Sequence, residues 1–190
     1  MTIGIYGGSF DPIHTGHAIV ANFVAQCGVT DEVWLTVSRQ NPLKTNHSYA
    51  NDSDRLKMAE IVAQYCIKVK VCDIEMNLPV PSYTYETLKT LKSLHPEHIF
   101  KIIIGSDSLE NFHNWKNSRE IQYEFGVIVY PRPGYPLPAQ EPDNITFLNG
   151  APEFGISSSL IREYIRSGWN INFFVPVEVE NYIQNNKLYS

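Results

Sequence analysis

Residues 4–17 read GIYGGSFDPIHTGH. Gly4-Ile5-Tyr6 has the look of a buried strand, and the chain leaves it through two bare glycines, Gly7 and Gly8. It then sets His14 and His17 three residues apart, where a helix begins near Thr15. Glycine lets backbone approach a ligand closely and adopt positive φ if needed. The helix N-terminus adds unpaired N–H groups and a partial positive charge. At that first turn both imidazoles can face the same way. Together these features outline an anion site, and phosphate would favour the charged form of each histidine. The stretch is not a P-loop, since no G-K-[ST] follows, and it lacks G-x-G-x-x-G, which counts against hydride-carrying dinucleotide enzymes. A zinc reading of His14 and His17 needs a third ligand. A plain strand-to-helix turn whose histidines cap or pack is the other reading, and the glycines weigh towards phosphate.

Working outward, apolar runs alternate with helical patterns. Strands are expected at 3–6, 32–37, 68–74, 100–104, 126–130 and 145–148, and helices at 17–27, 53–65, 83–94, 109–114, 118–123, 157–167 and 177–185. Ser53 is the expected cap of the second helix, with Leu56, Ala59, Val62, Ala63 and Cys66 inward, and Leu88, Leu91 and Leu94 face inward on the third. Residues 39–52 form a polar loop. Residues 131–142 carry five prolines and form another. Strands alternating with helices imply an α/β fold with a central parallel sheet and helices on both faces. Ligands then sit beyond the carboxyl ends of the strands, so the loops at Gly7, Gly105 and Pro131 should meet at one rim.

The 190 residues suit a single domain spanning 1–190, with 43% hydrophobic and 18% charged residues. A formal charge of -5 argues against a nucleic-acid polymer as partner. Cys27, Cys66 and Cys72 form no C-x-x-C pair and no disulfide framework. With no basic leader, no cleavable apolar stretch and no bilayer-length apolar run, the expected location is the cytoplasm, away from membranes.

A second anion site is readable in residues 155–168, GISSSLIREYIRSG. A helix starting at Ser157 has Ser158 and Ser159 in its first turn. Arg162 is near enough to fold back and grip phosphate oxygens in a forked geometry. An ordinary serine-capped helix with a solvated arginine fits that segment equally well.

Taken together, the two segments resemble the HxGH nucleotidyltransferase superfamily. The first matches G-x-F-D-P-x-H-x-G-H at Gly8, Phe10, Asp11, Pro12, His14, Gly16 and His17. The second matches S-x-T-x-x-R at Ser157 and Arg162, with Ser159 in place of threonine. The blocks NPLK, PSYTYETL, IIGSDSLENFHNWKNSREI, VYPRPG and VPVEVENYIQNNKLY resemble those of the bacterial nicotinate mononucleotide adenylyltransferases over nearly the whole chain. One departure is Leu43, where that family usually has histidine before the lysine that is Lys44 here.

The resemblance implies a Rossmann-like nucleotidyltransferase fold. It also implies adenylyl transfer from ATP to nicotinate mononucleotide, giving nicotinate adenine dinucleotide and pyrophosphate. Mg²⁺ would travel with ATP, held mostly by water and substrate. By that resemblance His14, His17, Lys44 and Arg162 serve catalysis. ATP would be bound by Gly7, Gly8, Ser9, Phe10, His14, His17, Gly105, Asp107, Arg132, Ile156, Ser157, Ser158 and Arg162. The mononucleotide would meet Ser9, Lys44, Tyr83, Thr84, Asp107 and Trp115, with Trp115 stacked on the pyridine ring and the N–H groups at Tyr83 and Thr84 reading its carboxylate. The partners are these two small molecules, with a homo-oligomer compatible. The rival readings are a superfamily transferase with another acceptor, a nucleotide-binding module without catalysis, and a metal hydrolase built on His14 and His17.

Overall fold

A computed structural model of the protein describes residues 1–39 and 50–190. The chain runs β1 (Thr2–Gly8), α1 (Thr15–Gln26), β2 (Glu32–Val37), α2 (Asp52–Ala63), β3 (Val69–Cys72), α3 (Thr84–Leu94), β4 (Ile99–Gly105), α4 (Ser106–Leu109), α5 (Ser118–Glu120), β5 (Val127–Tyr130), β6 (Ile145–Phe147), α6 (Ser158–Arg166) and α7 (Val177–Asn185). Short 3₁₀ turns lie at Ile74–Asn77 and Phe112–Asn114, and a π turn at Ile121–Phe125.

All six strands are parallel, in the order β3-β2-β1-β4-β5-β6. Strand residues alternate between two cores. Tyr6, Val33, Leu35, Val37 and Ile103 point to the side covered by α1, α2, α6 and α7. Ile3, Ile5, Ile102, Ile104 and Val129 point to the side covered by α3, the π turn and Phe112. This period-2 split is what a sheet buried on both faces requires. The strand order reverses between β1 and β4, so a crevice opens beyond Gly8 and Gly105, where open α/β sheets bind ligands.

The sequence-based element boundaries differ from the structure in ways that have physical causes. α2 is capped by Asn51, whose Oδ1 accepts the Asp54 N–H at 2.8 Å and the Ser53 hydroxyl at 2.7 Å, so Ser53 is inside the helix rather than its cap. Its buried face includes Arg55, which no apolar pattern signals. Leu94 is exposed, because α3 ends there and the chain turns away. The expected helix at 109–114 is instead α4 with a following 3₁₀ turn.

Candidate active site

β1 runs through both glycines, and neither has positive φ; the left-handed residue is Phe10, at φ 47°. A Cβ on Gly8 would lie 3.0 Å from the Phe10 ring, whereas one on Gly7 would meet open space. Gly8 thus serves packing, and Gly7 leaves the strand end bare. Gly16 is constrained by its neighbour: a Cβ there would sit 3.1 Å from His14 Nδ1. The first turn of α1 has room for the His14 ring because residue 16 has no side chain.

The two histidines cap α1 reciprocally. His14 Nδ1 accepts the His17 N–H at 3.3 Å, and His17 Nδ1 accepts the His14 N–H at 3.2 Å. The rings stack with centroids 3.6 Å apart. Because each Nδ1 accepts a backbone N–H, each imidazole carries a proton on Nε2. His14 is buried, and burial, with the Arg132 charge second, lowers its pKa to about 3. Burial therefore favours the neutral imidazole, with Nε2 as its donor, and protonating Nδ1 would set an N–H against the N–H it caps. The capping reading and the anion-site reading turn out to be compatible, since the caps use Nδ1.

Beside these rings stand the ends of β4 and β5. The Tyr6 and Tyr130 hydroxyls are 3.3 Å apart, and burial above all raises the pKa of both. The Arg132 N–H donates to Ser106 Oγ at 2.9 Å, and its Nε lies 3.7 Å from Asp107 Oδ2. A Cβ on Gly105 would fall 2.3 Å from Asp107 Oδ1 and 3.0 Å from Arg132 Cγ. Glycine at 105 lets Asp107 fold back over the strand end towards Arg132.

The start of α6 docks onto the same loop. Ser158 Oγ donates to the Pro12 carbonyl at 2.9 Å, and the Arg162 guanidinium donates to the Asp11 carbonyl and, at 3.0 Å, to Ser159 Oγ. Ser157 caps the helix by accepting the Leu160 N–H at 3.2 Å. Arg162 does fold back, as its spacing suggested. His14, His17, Tyr6, Tyr130, Arg132 and Ile156 line one cleft, together with Pro152 and Phe154 of the segment entering α6. Nothing in the sequence marked those last two residues.

The other half of the rim is assembled from more distant segments. Tyr83 stands at the N-cap of α3, and Lys116 Nζ lies 4.2 Å from the centre of its ring. Trp115, next to Lys116, is half-buried and packs edge-on against Phe112 at 5.5 Å. Lys44 lies outside the described residues, as do Leu43 and the rest of 40–49.

Arg55 and Glu75 are among the buried ionisable side chains that escaped the sequence reading. Arg55 is fully buried and donates to the Ser9 carbonyl at 2.7 Å, the Ser38 carbonyl at 2.6 Å and the Asp52 carboxylate. Glu75 accepts the Ser82 hydroxyl at 2.6 Å and the Thr87 hydroxyl at 3.1 Å. Burial pushes its carboxyl up, opposed by the hydrogen bonds from Ser82, Thr87 and Ser38 and by the Arg55 charge. Only a polar residue in an otherwise apolar helical stripe hints at Arg55. Among the described residues, His14 and His17 gather no third metal ligand; the group close enough to share an ion is His95, Glu97 and His98, at the opposite end of the sheet.

The fold and the cleft define a nucleotidyltransferase, and residues 5–164 match the family described as cytidylyltransferase-like, to which the chain belongs. Its relatives there are nicotinate-nucleotide adenylyltransferases. The probable nicotinate-nucleotide adenylyltransferase of Cytophaga hutchinsonii is 40% identical over 190 residues, covering 100% of this chain and 99% of that one. That of Bacteroides thetaiotaomicron is 37% identical, covering 95% and 90%. Among solved structures, Plasmodium falciparum nicotinic acid mononucleotide adenylyltransferase complexed with NaAD superposes with a TM-score of 0.83 at 25% identity, covering 99% of this chain and 97% of that one. The same enzyme complexed with APC gives 0.82.

Proposed function

We propose that the protein, acting as one domain over residues 1–190, transfers the adenylyl group of ATP to nicotinate mononucleotide in NAD biosynthesis. A phosphate oxygen of the mononucleotide bonds to the α-phosphorus of ATP, and the bond from that phosphorus to the bridging α–β oxygen breaks. The electron pair leaves with pyrophosphate, and nicotinate adenine dinucleotide remains. The attacking phosphate is already anionic, so no general base is needed, and catalysis becomes alignment and charge stabilisation. The observation that carries this reading is the docking of α6 on the Asp11–Pro12 carbonyls, which brings the starts of α1 and α6 together.

In this reading His17 Nε2 donates to the α-phosphate and His14 Nε2 to the phosphate chain. Arg162, Ser157 and Ser158 face the β- and γ-phosphates, with Lys44 reaching the reacting groups. Gly7, Gly8, Ser9, Phe10, Gly105, Asp107, Arg132 and Ile156 seat the nucleotide. Ser9, Tyr83, Thr84, Asp107 and Trp115 seat the mononucleotide. Mg²⁺ enters with ATP as part of the substrate. The ion would be held mainly by phosphate oxygens and water. Among the described residues no helix is long and apolar enough to cross a membrane, and we place the enzyme in the cytoplasm.

The test is ATP-Mg²⁺ with nicotinate mononucleotide, nicotinamide mononucleotide and phosphopantetheine as separate acceptors. Pyrophosphate and the dinucleotide are expected with the nicotinate acceptor. Absence of product with it, or turnover with phosphopantetheine alone, overturns the reading.

A further inference from the structure

The polar cluster around Glu75 lies outside the groups that would touch substrate, yet four segments of the chain meet on it. Glu75, 6% exposed, sits in the 3₁₀ turn after β3. Its Oε2 accepts from Ser82, one residue before the α3 cap. Its Oε1 accepts from Thr87, inside the first turns of α3, whose hydroxyl also approaches the Tyr83 carbonyl at 3.4 Å. The Ser38 side chain, past the end of β2, lies near enough to the same carboxyl to oppose the effect of burial on it. Arg55 then bonds the Ser38 and Ser9 carbonyls, which carries the chain of contacts to the end of β1.

Among the described residues, the hydrogen-bond donors to Glu75 are hydroxyls, and an ionised carboxylate can only accept. A buried carboxylate held by several hydroxyls is worth its desolvation only where each donor is fixed, so it also fixes them. The donors it fixes bracket Tyr83 and Thr84 on both sides, at positions 82 and 87. α3 presents its first N–H groups there, with no side-chain cap of its own.

We propose that Glu75 is a positioning residue for the mononucleotide. It sets the place of the Tyr83–Thr84 N–H groups and thereby the preference for a substrate bearing a ring carboxylate. The inference rests on the adenylyl-transfer reading. Its readout is a ratio between variants, whereas that reading stands or falls on the activity of the unaltered protein.

The experiment compares Glu75→Gln, Thr87→Val and Thr87→Ser with the unaltered enzyme. KM is measured for ATP and for both pyridine mononucleotides, beside a thermal melt. Gln puts an N–H₂ against a hydroxyl donor, and Val removes a hydroxyl at nearly constant shape, whereas Ser keeps it. The expected result is a rise of about tenfold in KM for nicotinate mononucleotide in Glu75→Gln and Thr87→Val, the scale of one lost hydrogen bond to a charged group. KM for ATP should stay within about twofold, and the nicotinate-to-nicotinamide preference should fall by a similar factor to the KM rise. Thr87→Ser should restore both. Equal rises in both KM values, or a lowered melting temperature with the preference unchanged, would show a purely structural carboxylate and overturn the proposal. If Glu75→Gln fails to fold, the Thr87 pair decides alone.

Discussion

The two halves of the rim are built differently. The half that we propose binds phosphate comes from one local stretch, Gly7 to His17, with the α6 start laid against it; its caps are made by neighbours three residues apart. The half that we propose for the mononucleotide has no such local code. Tyr83 and Lys116 meet across more than thirty residues of sequence, and α3 lacks a side-chain cap. Its order is borrowed from Glu75 below. A local motif can place atoms through helix geometry alone, whereas a remote constellation needs buried polar anchors to reach the same precision.

The residue joining the halves should give the largest effect. Arg55→Met leaves the Ser9 and Ser38 carbonyls without their donor. At about 1–3 kcal/mol for each buried acceptor, stability should fall by roughly 2–5 kcal/mol in urea unfolding. A loss below about 1 kcal/mol would show that the halves are held together by packing instead.

His17→Ala tests the phosphate half by itself. A loss of about 10²–10³ in kcat is expected, the scale of removing one charge-stabilising donor. The melt should shift modestly, because the lost cap costs only about 1 kcal/mol. Near-normal turnover in a folded variant would remove His17 from the chemistry.

His14 sharpens the comparison through pH. Its folded pKa, about 3, lies below the unfolded value of about 6.5, so between the two the unfolded chain binds more protons. Stability should therefore fall on acidification, by up to about 1.4 kcal/mol per pH unit below about pH 6.5 from this group. His14→Asn keeps a good N-cap and should flatten that slope, as followed by melts between pH 7 and 5. An unchanged slope would mean that His14 is solvated and charged.

The smallest effect is expected at the tail. Tyr189→Phe deletes the hydrogen bond to Asp11 and should cost about 1 kcal/mol of stability, with little change in KM for nicotinate mononucleotide. An equal effect on both substrates' KM would show that the tail serves both halves.

Much of the fold was legible because parallel strands buried on both faces show as short apolar runs, as at Phe100–Ile104 and Val127–Tyr130. The helix boundaries that misled were those where polar side chains compete, as at Asn51 and Ser53, whose side chains both cap well. The His14–His17 pair was readable because its reciprocal caps lie within one helix turn. Glu75 and Arg55 were not, because a charged residue in sequence looks solvated until its partners from other segments are known.

From the order of its residues alone, this chain determined the parallel sheet, the glycine-bare end of β1 and the histidine pair, since each depends on contacts within a few residues or on strand periodicity. Only the tertiary structure decided that His14 is neutral, that Phe10 and not a glycine takes the positive φ, and that Asp11 is held by Tyr189 from the far end of the chain. Burial and partners remote in sequence set those properties, and neither is written in any local pattern.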